Sequence, residues 1–144
     1  MNWGQTMFTK IKNTLSVNDV MLNLGHFPNI NESTMMSEVF KEMDTYRLGI
    51  VCITNSQKEL CGIITDGDIR RKLISFQKPI PSLFVEDAIE HSIKNPIFVK
   101  SGSLLIDAIE IMKNNQVWDL PVLDKKELIG LLHLHSAVAS ILEI

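Results

Sequence analysis

The apolar positions of this chain trace one pattern nearly twice, once between residues 17 and 73 and again between 85 and 142. Val17-Asn-Asp-Val-Met21 matches Val85-Glu-Asp-Ala-Ile89 at an offset of 68, and each reads as a short amphipathic helix. Ser16 and Asp19 have the spacing of a capping box at the first. A brief extended segment follows each, around Pro28-Asn-Ile30 and Pro96-Ile-Phe-Val99. Met36, Val39, Phe40 and Met43 then fall at i, i+3, i+4 and i+7, and Leu105, Ala108, Ile109 and Met112 repeat that spacing 69 residues later. Such spacing predicts a helix with one buried face in each half. Ser33 or Thr34, and Ser103, are the expected N-caps.

Each half continues with two apolar strands, Ile50–Thr54 with Leu60–Ile64, and Leu120–Leu123 with Leu128–Leu132. Polar turns separate them at 55–59 and 124–127, and Gly62 and Gly130 stand at matching points. A closing helix is expected over Asp68 to about Ser75, and over Ser136 to about Leu142. Two prolines, Pro79 and Pro81, break the chain between the halves. The reading is therefore an N-terminal linker segment 1–16, a first repeat 17–76, a linker 77–84 and a second repeat 85–144. Neither half is long enough to bury much core alone, so an intramolecular pair of pseudo-symmetric α/β (α+β) repeats is expected, each a small sheet with packing helices.

Composition narrows the function classes. Of 144 residues, 45% are hydrophobic and 22% charged, which supplies a core and excludes intrinsic disorder. Acids and bases are mixed along the chain at a net charge of −3, so no basic stripe is available for a nucleic acid partner. The longest uncharged stretch, Leu128 to Leu142, carries two His and two Ser and falls short of the roughly 18 apolar residues of a membrane span. The first residues lack signal-peptide form, and a cytoplasmic location is the expectation. Cys52 and Cys61 lie in apolar runs without metal-type spacing and read as reduced core residues.

The turn Gly62-Ile-Ile-Thr65-Asp66-Gly67-Asp68 and the strand Leu120-Pro121-Val122 followed by Gly130 resemble a tandem cystathionine-β-synthase-type (CBS) domain pair, the Bateman module, over about Val17 to Leu142. More narrowly, residues 62–71 and Leu131-Leu-His-Leu-His135 are similar to the C-terminal regulatory part of arabinose 5-phosphate isomerases of the KpsF/GutQ family. That resemblance implies a regulatory role beside a sugar-isomerase (SIS) domain, in cis or in trans, on the way to Kdo and lipopolysaccharide. It implies no catalytic residues here, no required cofactor, a homodimer through the CBS pair, and a regulatory nucleotide or CMP-Kdo as ligand. A purely structural dimerisation module without ligand is the competing reading.

Thr65 and Asp68 are the sharpest constellation. A hydroxyl and a carboxylate at a strand-to-helix turn can hold ribose hydroxyls, while the helix start attracts phosphate. The same residue types also cap helices, which is the bland alternative, with Asp66 a candidate for either part. Arg70 and Arg71 stand in the first turn of that helix, where cations oppose the macrodipole unless an anion or a neighbouring carboxylate compensates. A base would meet backbone and apolar groups near Ile30, Gly49 and Ile50. The matching positions of the second half are His133 and Ser136, so the gripping carboxylate is missing there. His133 and His135 would share a face if the strand ran through both, but no third metal ligand is evident, and polar contact to a ligand or partner is the expected role. Asp66-Gly67-Asp68 also mimics the metal-binding Asp-x-Asp of glycosyltransferases, for which this chain is too short. Trp118 could touch a base, though packing at a sheet edge is the simpler expectation.

Overall fold

A computed structural model describes residues 15–142. The elements run α1 (Val17–Val20), β1 (Leu22–Asn23), β2 (Asn29–Asn31), α2 (Met36–Tyr46), β3 (Ile50–Thr54), β4 (Leu60–Thr65) and α3 (Asp66–Ser75). Two 3-10 turns follow, Ile80–Val85 and Ala88–His91. The chain closes with β5 (Val99–Lys100), α4 (Leu105–Asn115), β6 (Asp119–Asp124), β7 (Glu127–His133) and α5 (Leu134–Leu142). The expected N-terminal segment lies outside the described residues except for Leu15 and Ser16.

The chain divides into two compact units, one running Gly25–Pro96 and the other reaching Leu24 and resuming at Ile97. In the first, β2 runs parallel to β3 and β3 antiparallel to β4. Its core joins Met36 and Val39 of α2 to Val51, Ile53 and Ile64 of the sheet and Ile69 of α3. In the second, the sheet order is β1-β7-β6-β5, with β5 parallel to β6 and the other pairs antiparallel. Leu105, Ala108 and Met112 of α4 pack there with Leu120, Val122 and Leu132. The helical faces read from the sequence are thus the ones buried, but Phe40, Met43 and Ile109 are only partly covered. Phe40 instead meets Phe84, ring centroids 5.2 Å apart.

The two units are not cut at the sequence repeats, because the segment leading into each repeat packs with the strands of the other. Leu22 pairs with Leu131, and Ile93 bridges Ile63. Gly130 and Gly62 sit where those segments cross. A Cβ at Gly130 would lie 2.9 Å from the Leu22 carbonyl oxygen, and one at Gly62 2.9 Å from Ser92 Cβ. The hydrogen bonds correct the alignment of these segments. Val17 N–H donates to Ser103 O as Ala88 N–H donates to Thr34 O, so Val17 corresponds to Ala88, 71 residues on, rather than to Val85. Residues 85–89 accordingly form no α-helix. The chain after Pro79 tightens into 3-10 turns, with Leu83 and Ala88 buried as its anchors.

Those segments also explain why the expected serine and threonine caps are unused. α2 and α4 begin after Met35 and Leu104, whose side chains cap nothing. The Met36 N–H donates to Glu86 O (2.8 Å) and the Leu105 N–H to Leu15 O (2.9 Å). A neighbouring backbone carbonyl thus satisfies a helix-start donor, leaving Ser33 and Thr34 to bond the Asn31 side chain. At α1, by contrast, the Ser16 N–H donates to Asp19 Oδ2 (2.9 Å) as the sequence predicts.

Candidate functional site

The antiparallel pairing of Ile50 with Thr65 places the start of β3 beside the start of α3. Thr65, not a residue further on, is the N-cap, so α3 starts two residues before the expected Asp68. Thr65 Oγ1 accepts the Asp68 N–H (3.2 Å), while Asp68 Oδ2 accepts the Thr65 N–H (3.1 Å) and the Thr65 hydroxyl (2.8 Å). The Asp66 N–H donates to Gly49 O (2.9 Å), and the Gly67 N–H to Asp66 Oδ1 (2.8 Å). All four donors from Thr65 to Asp68 are thereby taken within the turn. An anion would therefore have to be met by side chains, not by the helix start as the motif alone implies.

Burial works against charge on Asp68, but hydrogen bonds from Thr65 and Arg71 outweigh it and hold its carboxyl below the usual carboxylate range. Arg71 reaches Asp68 Oδ1 at 2.7 Å while its side chain is 63% exposed, so local pairing is how this arginine settles against the helix dipole. Arg70 is exposed. Gly49 leaves room for the Asp66 carboxylate, because a Cβ there would stand 2.7 Å from Asp66 Oδ2. Ile30 and Ile50 are buried in this unit, Ile30 pairing with Ile53 three residues along the strand from Ile50. The structure thus gathers Gly49, Ile50, Thr65, Asp66, Asp68 and Arg71 at one turn and sets Ile30 further along the sheet.

The second repeat builds the same turn from different chemistry. Leu134 N–H donates to Trp118 O (2.9 Å), the counterpart of Asp66 with Gly49, and Asp119 pairs with His133 as Ile50 does with Thr65. His133 Nδ1 lies 2.7 Å from Asp119 Oδ1. Asp119 was not read as a site residue, although its position opposite His133 follows from the hairpin register. The shared strand face expected for the two histidines is not found. β7 ends at His133, and His135 lies in the first turn of α5 with its ring centroid 6.3 Å from that of His133. Ser136 is partly buried within α5, its carbonyl accepting the Ser140 hydroxyl at 3.0 Å. Trp118 is 72% exposed, so it does not pack at a sheet edge. Among the described residues, no three His, Cys, Asp or Glu side chains are grouped to hold a metal ion, and no helix is long and apolar enough to cross a membrane.

The CBS domain family matches the chain twice, at residues 17–75 and 85–143, and the chain belongs to it. It is 30% identical over 131 residues to the uncharacterized protein RP505 of Rickettsia prowazekii, covering 91% of this chain and 37% of that protein. An uncharacterized protein of Chlamydia pneumoniae is 34% identical over 124 residues, covering 83% of this chain and again 37% of the relative. The chain thus spans about a third of the length of these relatives. Among solved structures, CBSX2 in complex with AMP superposes with a TM-score of 0.77 at 21% identity, covering 89% of this chain and 96% of that one. The acetoin utilization protein AcuB from Vibrio cholerae gives 0.77 at 19%, covering 90% and 91%. The likeness at these identities establishes a shared fold, a tandem pair of small mixed sheets with helices.

Proposed function

We propose that this chain is a ligand-sensing regulatory module whose first turn, Thr65 to Arg71, takes the ribose of a nucleotide or sugar nucleotide. The observation that carries the reading is the Asp68 carboxylate. It is held ionised in a fixed direction, and its Oδ1 takes its hydrogen bond from the exposed Arg71, which can swing aside. A carboxylate so placed can accept ribose hydroxyls, and hydrogen bonds to charged groups contribute about 1.5–3 kcal/mol. Arg70 and a displaced Arg71 would meet the phosphate or sugar acid. The AMP complex of CBSX2, a protein of the same fold, supports an adenosine-type ligand. Cytidine-type ligands, CMP-Kdo among them, rest on the resemblance of residues 62–71 and 131–135 to the arabinose 5-phosphate isomerases. His133, His135 and Ser136 form a second, weaker site in this reading.

Calorimetry with AMP and with CMP-Kdo tests it. Asp68→Ala weakens binding about ten- to a hundredfold, and Ser136→Ala changes it little. The reverse order would move the working site to the second repeat. On the same resemblance the module regulates a sugar-phosphate isomerase, and the purified chain itself does not interconvert ribulose 5-phosphate and arabinose 5-phosphate. A second reading, a homodimerisation module without ligand, is favoured by one observation. Thr65 and Asp68 already satisfy each other as a helix cap, with every early N–H of α3 filled. Absence of binding by all nucleotides would select it.

A further inference from the structure

The second unit contains a cleft of ≈ 280 Å³ whose lining includes none of Thr65, Asp68, His133, His135 and Ser136. Its apolar lining is Ile109 and Met112 of α4, Val117 of the following loop and Leu134 at the start of α5. Lys113, Gln116 and Trp118 complete it. That size sits at the small end of ligand pockets, roughly 300 Å³ and upward. Two features mark it as more than a groove between helices. Trp118 is 72% exposed although its backbone is fixed, its carbonyl accepting the Leu134 N–H and the next residue entering β6. An indole left in water forgoes the large apolar gain its ring can bring. Lys113 also lines the cleft, and its ammonium rests in a loose 3.8 Å contact with Glu110 across exposed side chains, within reach of an acid in the cleft through its flexible stem. In the first repeat the positions of Trp118 and Leu134 are taken by Gly49 and Asp66, a bare backbone under a carboxylate, so this chemistry belongs to the second repeat alone.

We infer that this cleft binds a small flat aromatic molecule carrying one acidic group, the ring against Trp118 and the apolar lining and the acid at Lys113. The indole supplies a stacking face, and an ammonium beside an apolar surface favours an anion over its neutral isostere. Calorimetry with 1-naphthoate, and with 1-naphthalenemethanol as the uncharged isostere, tests the assignment. The Trp3→Phe variant makes Trp118 the single indole of the chain, so its emission follows occupancy directly. Naphthoate is expected to bind one per chain, to shift Trp118 emission in parallel, and to outbind the alcohol about tenfold, a difference near 1.4 kcal/mol. Trp118→Ala weakens both probes, whereas Lys113→Gln weakens only the acid; both positions are exposed, so neither variant threatens folding. Equal affinity for the two probes, or naphthoate binding unmoved in Trp118→Ala, overturns the inference. So does sedimentation showing a dimer that Trp118→Ala dissociates, which would make a second copy the occupant. AMP binding at Thr65 and Asp68 is read separately in the same variants, so either conclusion can fail without the other.

Discussion

At the scale of single residues, Asp68 is where sequence and geometry speak most directly to each other. Its spacing from Thr65 raised two readings, a ligand grip and a cap. The structure shows the cap made in full, with Arg71 attached to its outer oxygen. Because the folded chain holds this carboxyl below its ordinary value near about 4, its contribution to stability is complete above that pH. The contribution is lost as pH falls through the lower folded value. Acid melting curves of the wild type should therefore fall more steeply below about pH 4 than those of Asp68→Asn, and the two should run parallel near neutrality. Curves that stay parallel throughout would mean that the Thr65 and Arg71 contacts do not persist in solution. The effect is small, since Arg71 is largely in water and its pairing is screened. Asp119 was missed at this scale for a physical reason. Its partner His133 is fourteen residues away, and only the β6–β7 register brings them together.

At the scale of elements, period and spacing made the helices and strands legible, and hydrogen bonding decided their ends. Met36, Val39, Leu105, Ala108 and Met112 are buried as their spacing predicts, because a helical stripe needs only a neighbouring sheet to cover it. The caps were misplaced at α2 and α4 because carbonyls of Glu86 and Leu15, distant in sequence, satisfy the donors that Thr34 and Ser103 were expected to serve. The 3-10 turns over 80–91 were hidden for the same reason, their conformation being set by Leu83 and Ala88 reaching a core built by the other segment. Gly130 and Gly62 gave the repeat its register in the sequence, and their role is now concrete. Each is where an incoming segment crosses the last strand of a sheet. Gly130→Ala is expected to cost about 1–3 kcal/mol in chemical denaturation, since a Cβ there meets the Leu22 carbonyl, which cannot rotate away, as well as the flexible Met21 side chain. Gly49→Ala should cost less, because its obstacle is the exposed Asp66 side chain. Equal losses at the two positions would show that β1 does not hold its place on β7.

At the scale of the whole molecule, the question is whether the module answers to a small molecule or serves only to bring chains together. Mass action separates the two. A ligand that binds the folded chain alone stabilises it by RT ln(1 + [L]/Kd), about 2.7 kcal/mol at a hundredfold excess over Kd. For a chain of this size that is a rise in Tm of roughly ten degrees. The rise is set by the free ligand and is nearly independent of protein concentration. A homodimer without ligand behaves in the opposite way, its Tm climbing with protein concentration and indifferent to nucleotides. Thermal unfolding of the wild type and of Asp68→Ala across a range of chain concentrations, with and without AMP and CMP-Kdo, therefore has three distinguishable outcomes. The proposal expects a nucleotide-dependent rise that Asp68→Ala largely removes, on top of any dependence on chain concentration. A rise that survives in Asp68→Ala would leave ligand sensing intact but move it away from the first turn. Concentration dependence alone would establish the structural module, and the Thr65–Asp68 pair would then be a helix cap and nothing more.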